Sequence, residues 1–454
     1  MKTNKQKISN GMKEILNFLI GIYKLKEMPR TGLVLLGVKN PPTIADHTCR
    51  VSIVAWLLGE SRNLNIGKII KIALAHDICE VYAGDTTPFR GLLPKNNKKR
   101  KEILKRWIRL SLEEKQKRSQ QEFDIEKKCL LKLLKNLDLK LLREIFSCWL
   151  EYKKCITDEG KFFLQIDKIE GMIEAIEHLS KKEYVFITPW WEEADELVAD
   201  PLLHIFLQLI QNKFYTIKAN TTDKICTKKL KRELKNILDF LLEIEKLKRL
   251  PRRIWRLLEV KSPIETVADH IFSVALMAWI LGRQKPELNM EKLLKMALCH
   301  EMPSVYTNDL TPYDEILTKK VKKEVFKKWL RLPRKEKEKI HLKHYKKERM
   351  ALKRLALKLD SPLRDEIIQL FDEYKTSSTA EARFLNQVNV LAVLLQALLY
   401  WKKDKNLQID WIWEWAFEKC DNQICLDFIE ELKNKFYGKG LISKLFNLLS
   451  FQKR

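Results

Sequence analysis

Glycine and proline are scarce, at 13 and 14 residues in a chain of 454. That shortage argues against a turn-rich β architecture and for long helices joined by short connections. The nine cysteines are odd in number, scattered, and form no CxxC pair. This excludes a disulfide framework and a zinc ribbon, and it suits a reducing cytosol. No apolar run reaches the length of a membrane span. The stretch "ILNFLIGIYKL" (15–25) follows a basic start, as a signal-peptide core does. Its twin "ILDFLLEIEKL" (237–247) lies mid-chain, where a signal peptide cannot be, so both read as repeat helices. The expectation is a cytoplasmic protein with no membrane partner.

What is abundant bounds the rest. A chain of this length exceeds one ordinary core, and a hydrophobic content of 45% is enough to bury two or three. The net charge is +26, from 86 basic and 60 acidic residues. Such a charge concentrates anionic ligands and permits nonspecific contact with nucleic acid. Because the basic residues spread over both halves, a solvated lysine-rich surface accounts for it equally well.

The chain repeats itself. "ALAHDICEVYAGDTTPF" (73–89) matches "ALCHEMPSVYTNDLTPY" (297–313), and "MPRTGLVLLGVKNPPTIADH" (28–47) matches "LPRRIWRLLEVKSPIETVADH" (250–270). "LKRWIRLSLEEK" (104–115) pairs with "FKKWLRLPRKEK" (326–337), and "LQIDKIEGMIEAIEH" (164–178) with "NQVNVLAVLLQALLY" (386–400). Order is kept and the offset stays at 222 to 224 residues, which is domain duplication and far beyond solenoid periods. The polar stretch 211–229 reads as the connection, giving units 1–212 and 228–454 joined by a linker at 213–227. Apolar residues recur at helical spacing throughout and no segment alternates as a strand. The expected fold is all-α, two tandem helical bundles packed as a pseudo-dimer.

Four of only eight histidines, His47, His76, His270 and His300, fall at the two matching pairs of positions. In the first unit, His47 lies inside "TIADHTCRVSIVAWLL". His76 and Asp77 lie near the end of the next apolar helix, and Asp167 lies in a third. Two imidazoles and two carboxylates from three helices can converge on one divalent cation and leave room for water and substrate. Glu80, four residues after His76, is placed to carry a proton without being a ligand. Asp85 follows Gly84 in a turn, suited to a pocket mouth.

"PRTG", "TIADH", the 29 residues to "HDICEVYAGDTTP", and the distal "QIDKIE" together resemble the HD-domain metal-dependent phosphohydrolase superfamily. Within it they are similar to the 5′-deoxynucleotidase (HD domain-containing protein 2) branch. The resemblance spans residues 15–210 and returns, weaker, across 237–440. It implies an all-helical fold and one divalent metal, among Mn, Co, Fe, Mg and Zn, held by His47, His76, Asp77 and Asp167. It implies phosphomonoester hydrolysis of a small nucleotide by water activated at the metal, with Glu80 as acid and base. It also implies Arg30 on the substrate phosphate and Asp85 on the nucleotide sugar. The family's "RTGW" reads "RTGL", with Leu33 in place of the aromatic and a tryptophan, Trp255, in the second copy. That exchange bears on base or sugar recognition.

The second copy is altered where chemistry resides. His270 and His300 are kept, but Glu301 replaces Asp77, Asn389 replaces Asp167, and Ser304 replaces Glu80. Glu170 and Glu174, one and two turns beyond Asp167, become Ala392 and Gln396. Pro303, three residues after His300, is expected to break or bend the helix that presents the pair. The fold is retained and the catalyst is not, so the second unit reads as a pseudo-subunit. Two other functions fit parts of the sequence. One is an HD-type hydrolase of nucleotide polyphosphates, such as an alarmone or a dNTP. The other is a noncatalytic nucleic-acid-binding or scaffold protein using the basic helices at 94–110 and 318–332, each with a tryptophan. The "GDTTP" context, with no additional phosphate-binding glycine-rich loop, favours the monoesterase over a polyphosphate hydrolase, and the intact first site favours an enzyme over a binding protein.

Overall fold

The computed structural model describes residues 4–86, 94, 96, 99, 103, 111–179, 187–215, 227–261, 263–316 and 325–450. Among them the regular structure is helical, apart from two isolated bridges, Pro29 to Thr43 and Pro251 to Thr266. The first unit runs α1 (Asn4–Ile22), α2 (Ile44–Glu60), α3 (Ile66–Ala75), α4 (Leu112–Leu134), α5 (Leu139–Lys154), α6 (Asp158–His178), α7 (Thr188–Leu197) and α8 (Pro201–Tyr215). The second repeats the scheme with α9 (Lys228–Ile244), α10 (Val267–Gly282), α11 (Met290–Cys299), α12 (Arg334–Ala356), α13 (Ser361–Thr376), α14 (Ala380–Lys403), α15 (Asp410–Lys419) and α16 (Gln423–Ser450). The proposed linker falls mostly on 216–226, outside the described residues, as does most of the basic helix at 94–110.

The helices begin where short polar side chains can satisfy free backbone N–H groups. Thr43 and Asp46 form a reciprocal capping box on α2, and Thr266 and Asp269 form its equivalent on α10. Asn65, Ser111, Asp138 and Thr157 cap α3, α4, α5 and α6. Each central helix, α2 and α10, is buried nearly all round, which explains the apolar composition of both.

The two units share one continuous apolar core, with α2 and α10 packed against each other at its centre. There the two capping boxes interlock. Thr43 donates its hydroxyl to Asp269 Oδ1 at 2.6 Å, and Thr266 donates to Asp46 in return. This is the expected pseudo-dimer. Helix α14 does reach the length and apolarity of a membrane span, contrary to the reading that no segment does. It lies mostly buried within the second unit's bundle, as core helices do.

Pro303 does not play the expected part. In the first unit, which has no proline there, α3 already ends at Ala75, and His76 precedes a separate short helix, Glu80–Ala83. The second unit breaks identically: α11 ends at Cys299, and Pro303 stands before the short helix Ser304–Thr307 with φ −54°. Proline fits a helix start, so it marks a break common to both copies and adds no disruption. Trp329 of the second basic helix is buried, edge-on to Tyr313 at 6.0 Å and to His341 at 5.5 Å, and is not offered to bases.

Candidate metal centre

The site forms where three helix segments meet beneath a tethered strand-like connection. Arg30 N donates to Pro42 O and Ile44 N to Met28 O, each at 2.9 Å. These bonds fasten the Arg30 segment against the start of α2, one turn before His47. His76 follows the last residue of α3, and its Nδ1 donates to Ala73 O at 2.6 Å, which turns Nε2 inward. Asp167 comes from the middle of α6. Gly160 lets that helix approach α5 closely, since a Cβ there would collide with the carbonyl oxygen of Glu151. The approach brings Tyr152 of α5 to Asp167, whose Oδ2 accepts the phenol hydrogen at 2.9 Å.

The four predicted ligands converge. His47 Nε2 lies 3.1 Å from Asp167 Oδ1, 3.3 Å from His76 Nε2 and 3.9 Å from Asp77 Oδ2. His76 Nε2 lies 3.0 Å from Asp77 Oδ2 and 3.7 Å from Asp167 Oδ1. Ligands at ~2.0–2.2 Å around one cation stand about 3.0–3.5 Å from their neighbours. Two imidazole Nε2 atoms facing each other at 3.3 Å, with carboxylates on either side, fit a divalent ion among them.

Charge in the centre is strongly coupled. Burial opposes ionisation of Asp77, but His76, Arg30 and His47 outweigh it and hold the carboxyl at about 2. Asp167 is likewise held below the usual carboxylate range, against burial, by His47 and His76. Burial and Arg30 depress His47, while Glu170 and Asp167 lift it to about 9.

Arg30 and Asp85 flank the donors. Arg30 Nη1 is 3.4 Å from Asp77 Oδ2 and 3.9 Å from Asp85 Oδ1, and its Nε is 3.7 Å from Glu174. Asp85 Oδ2 accepts from Thr31 N at 2.6 Å. The turn that delivers Asp85 needs φ +76° at Gly84, a conformation that glycine adopts without strain. Glu80 is 6% exposed, and its Oε2 has no hydrogen-bond partner among the described residues. Burial, with Asp77 and Asp85 nearby, raises its carboxyl well above the ordinary range.

The second unit keeps the frame, with His270, His300 and Glu301 still grouped closely enough to hold a metal ion, but its ligand set is altered. Arg252 Nη1 binds Glu301 Oε1 and Asp309 Oδ1, both at 2.9 Å, and the longer Glu301 lies 3.9 Å from His300 Nε2. His270 Nε2 meets the neutral Asn389 Oδ1 at 2.8 Å, an oxygen that only accepts, so in this arrangement that nitrogen carries the proton. Its ring is depressed well below the ordinary histidine range by burial and by Arg252. Leu33 and Trp255 are both fully enclosed, and Trp255 Nε1 donates to Glu265 Oε1 at 2.6 Å. The exchange between them changes core packing rather than an open pocket wall.

Sequence reasoning missed the support around the ligands. His47 Nδ1 is bonded to Glu170, whose Oε1 accepts from Arg50 Nε at 2.6 Å and from Lys248 Nζ at 2.9 Å. Lys248 also binds Glu174. The signal for Glu170 and Glu174 was their joint loss in the second copy. Tyr152 offered only a match to Tyr374, and Lys248 offered none, because it belongs to the other unit.

The chain matches the HD domain family over residues 22–195 and 244–419. The 5′-deoxynucleotidase HDDC2 of Bos taurus is 32% identical over 169 residues, covering 37% of this chain and 70% of that protein. Its Homo sapiens counterpart is 31% identical, covering 37% and 69%. The 5′-deoxynucleotidase YBR242W of Saccharomyces cerevisiae is 32% identical, covering 37% and 61%. A solved structure, a conserved hypothetical protein from Pyrococcus furiosus, aligns at 25% identity and a TM-score of 0.33 over 43% of this chain and 99% of that one. Matched in two blocks along its length, the chain belongs to the HD domain family and is a phosphohydrolase.

Proposed function

We propose that the unit at 1–212 hydrolyses a (deoxy)nucleoside 5′-monophosphate to nucleoside and phosphate, with 228–454 as its noncatalytic partner across a linker at 213–227. The observation that carries this reading is that Asp77 and Asp167 each lie 3.0–3.9 Å from the Nε2 atoms of both His47 and His76, beside a buried Glu80 and a cationic Arg30.

His47, His76, Asp77 and Asp167 would hold one divalent cation. When bound, it lowers the pKa of water and offsets charge on a phosphate oxygen. Arg30 donates to another phosphate oxygen, and the carboxylates around it keep it in place. Asp85, fixed by Thr31 N, receives a sugar hydroxyl. Burial and its acidic neighbours Asp77 and Asp85 disfavour the Glu80 anion and so favour the protonated acid. As water attacks phosphorus and the P–O5′ bond breaks, Glu80 protonates the departing 5′-oxygen. It then regains a proton from the water consumed. The relatives' 5′-deoxynucleotidase names support the monophosphate class.

The test is phosphate release from nucleoside mono-, di- and triphosphates, each with single divalent metals and with a chelator. Release from monophosphates that needs the metal is expected. Turnover of triphosphates alone, yielding pyrophosphate or triphosphate, would overturn the reading.

A further inference from the structure

The second unit reaches into the first unit's site through one side chain. Lys248 lies on the short helix Lys246–Arg249, 222 residues after its counterpart Lys26, and its side chain is 1% exposed. It crosses the pseudo-dimer interface and binds Glu170 at 2.9 Å together with Glu174, both on α6. Glu170 in turn holds Nδ1 of His47. The chain of contacts Lys248, Glu170, His47 therefore links the second unit directly to the first unit's predicted ligand set.

The symmetry-related contact shows what this link is for. Lys26 crosses the same interface in the opposite direction and meets Gln396 Oε1 at 2.6 Å, together with Glu265. Gln396 and Ala392 stand where Glu174 and Glu170 stand in the first unit, and Glu265 stands where the first unit has Pro42. The second copy has lost both helical carboxylates and has placed a new one elsewhere to neutralise Lys26. A buried ammonium needs such a partner. Lys26 is thus paired without touching a histidine, whereas Lys248 is paired through the acceptor of a histidine. His270 lacks that acceptor as well as the first unit's aspartate, which Asn389 replaces. With alanine at 392, its proton sits on Nε2, bonded to Asn389.

We infer that Lys248 is a positioning residue for the metal centre: by fixing Glu170 from across the duplication, it keeps the His47 proton on Nδ1 and leaves Nε2 free to coordinate. A histidine ligand is oriented by the acceptor on its other nitrogen, and loss of such an outer partner typically costs ~10–100-fold in metal affinity. Arg50 shares Glu170, so the loss is partial. On this account the second copy is retained because the first copy's site is incomplete without it. The inference rests on the metal reading above.

The experiment titrates Mn²⁺ into the metal-stripped full-length chain and reads its dissociation constant, with thermal melts confirming that each variant is folded. Lys248→Met is expected to bind Mn²⁺ about 10–100-fold more weakly than wild type. Lys26→Met, the same loss on the other side of the interface, should melt earlier and bind as wild type does. If Lys248→Met fails to fold, Lys248→Gln fills the same space without the charge. Combining the folded variant with Glu170→Gln should cost little beyond Glu170→Gln alone, because both break one link. In ¹⁵N spectra of the metal-free chain recorded above about pH 9, where the His47 ring is neutral, His47 should lose its Nδ1–H preference in the Lys248 variant. Wild-type affinity in the Lys248 variant, or equal weakening by Lys26→Met, would overturn the inference while leaving the metal site standing. Wild-type Mn²⁺ binding by His76→Ala would overturn the metal site itself.

Discussion

Tyr152 and Tyr374 occupy the same place in the two units but bond in opposite senses. Tyr152 donates its phenol hydrogen to Asp167 Oδ2 at 2.9 Å, whereas Tyr374 accepts from Asn389 Nδ2 at 2.9 Å. The reversal follows from one atom exchange, a carboxylate oxygen for an amide nitrogen. It turns Asn389 Oδ1 toward His270 and makes that oxygen an acceptor for the ring N–H. A proton therefore occupies the nitrogen that faces a cation in the first unit.

Metal content follows from this. The intact chain should carry about one tightly bound divalent ion, held by two imidazoles and two carboxylates in the first unit alone. His76→Ala should bring elemental analysis near zero and abolish phosphate release, while His300→Ala should leave both close to wild type. Two ions per chain, or one surviving His76→Ala, would place a working site in the second unit.

The acid–base assignment makes a separate claim. Glu80 is buried, unpartnered at Oε2 among the described residues, and raised well above the usual carboxylate range, first by burial and then by Asp77 and Asp85. A raised acid keeps its proton to higher pH than an ordinary carboxyl does, and activity that needs that proton declines as pH rises through its pKa. Glu80→Gln should lower kcat by roughly 10²–10⁴-fold with metal content unchanged, and the alkaline decline attributed to it should vanish. A parallel fall in bound metal would make Glu80 a ligand or a ligand's anchor.

The repeat, the helical class and the converging ligands were legible because they live in spacing. The "ADH" and "HD" histidines recur at fixed offsets, and apolar periodicity forces helices whose inner faces must meet. The helix break after His76 was not legible. Nothing in "ALAHDICEVYAG" marks it, and the proline that suggested a break in the second copy sits at one present in both. Lys248 was invisible for a different reason: its partners lie 74 and 78 residues away on the other unit, and only tertiary packing brings them together.

Because the break is shared, Pro303 is not what disables the second site. Pro303→Ala should leave metal content at about one per chain. Glu301→Asp with Asn389→Asp restores the shorter carboxylate beside His300 and the anion beside His270. That double variant should add a second, weaker ion detectable in elemental analysis. A second ion in Pro303→Ala, with none in the double variant, would return the fault to the backbone.

The interlocked capping boxes carry a pH signature of their own. Asp269 is raised to about 6, chiefly by burial and also by Glu265, against the opposing pull of Lys26, Thr43 and Thr266. Asp46, facing it across the pseudo-two-fold, is raised as well, by burial and by Asp269. An acid whose folded pKa is raised binds its proton more tightly when folded. Its ionisation therefore costs stability as pH climbs from the unfolded value, near 4, to the folded one, and the cost stays constant above that. Read downward, wild type regains stability as pH falls through about 6. Asp269→Asn has no such proton to take up and keeps at best part of the bonding to Thr43 and the Thr266 N–H. Denaturant unfolding of both proteins between pH 8 and pH 4 should show the wild-type advantage widening steadily on the acid side. A constant gap across that range would mean that Asp269 ionises as freely in the folded interface as in the unfolded chain, and the interlock would then be a neutral hydrogen-bonded contact with no proton linkage.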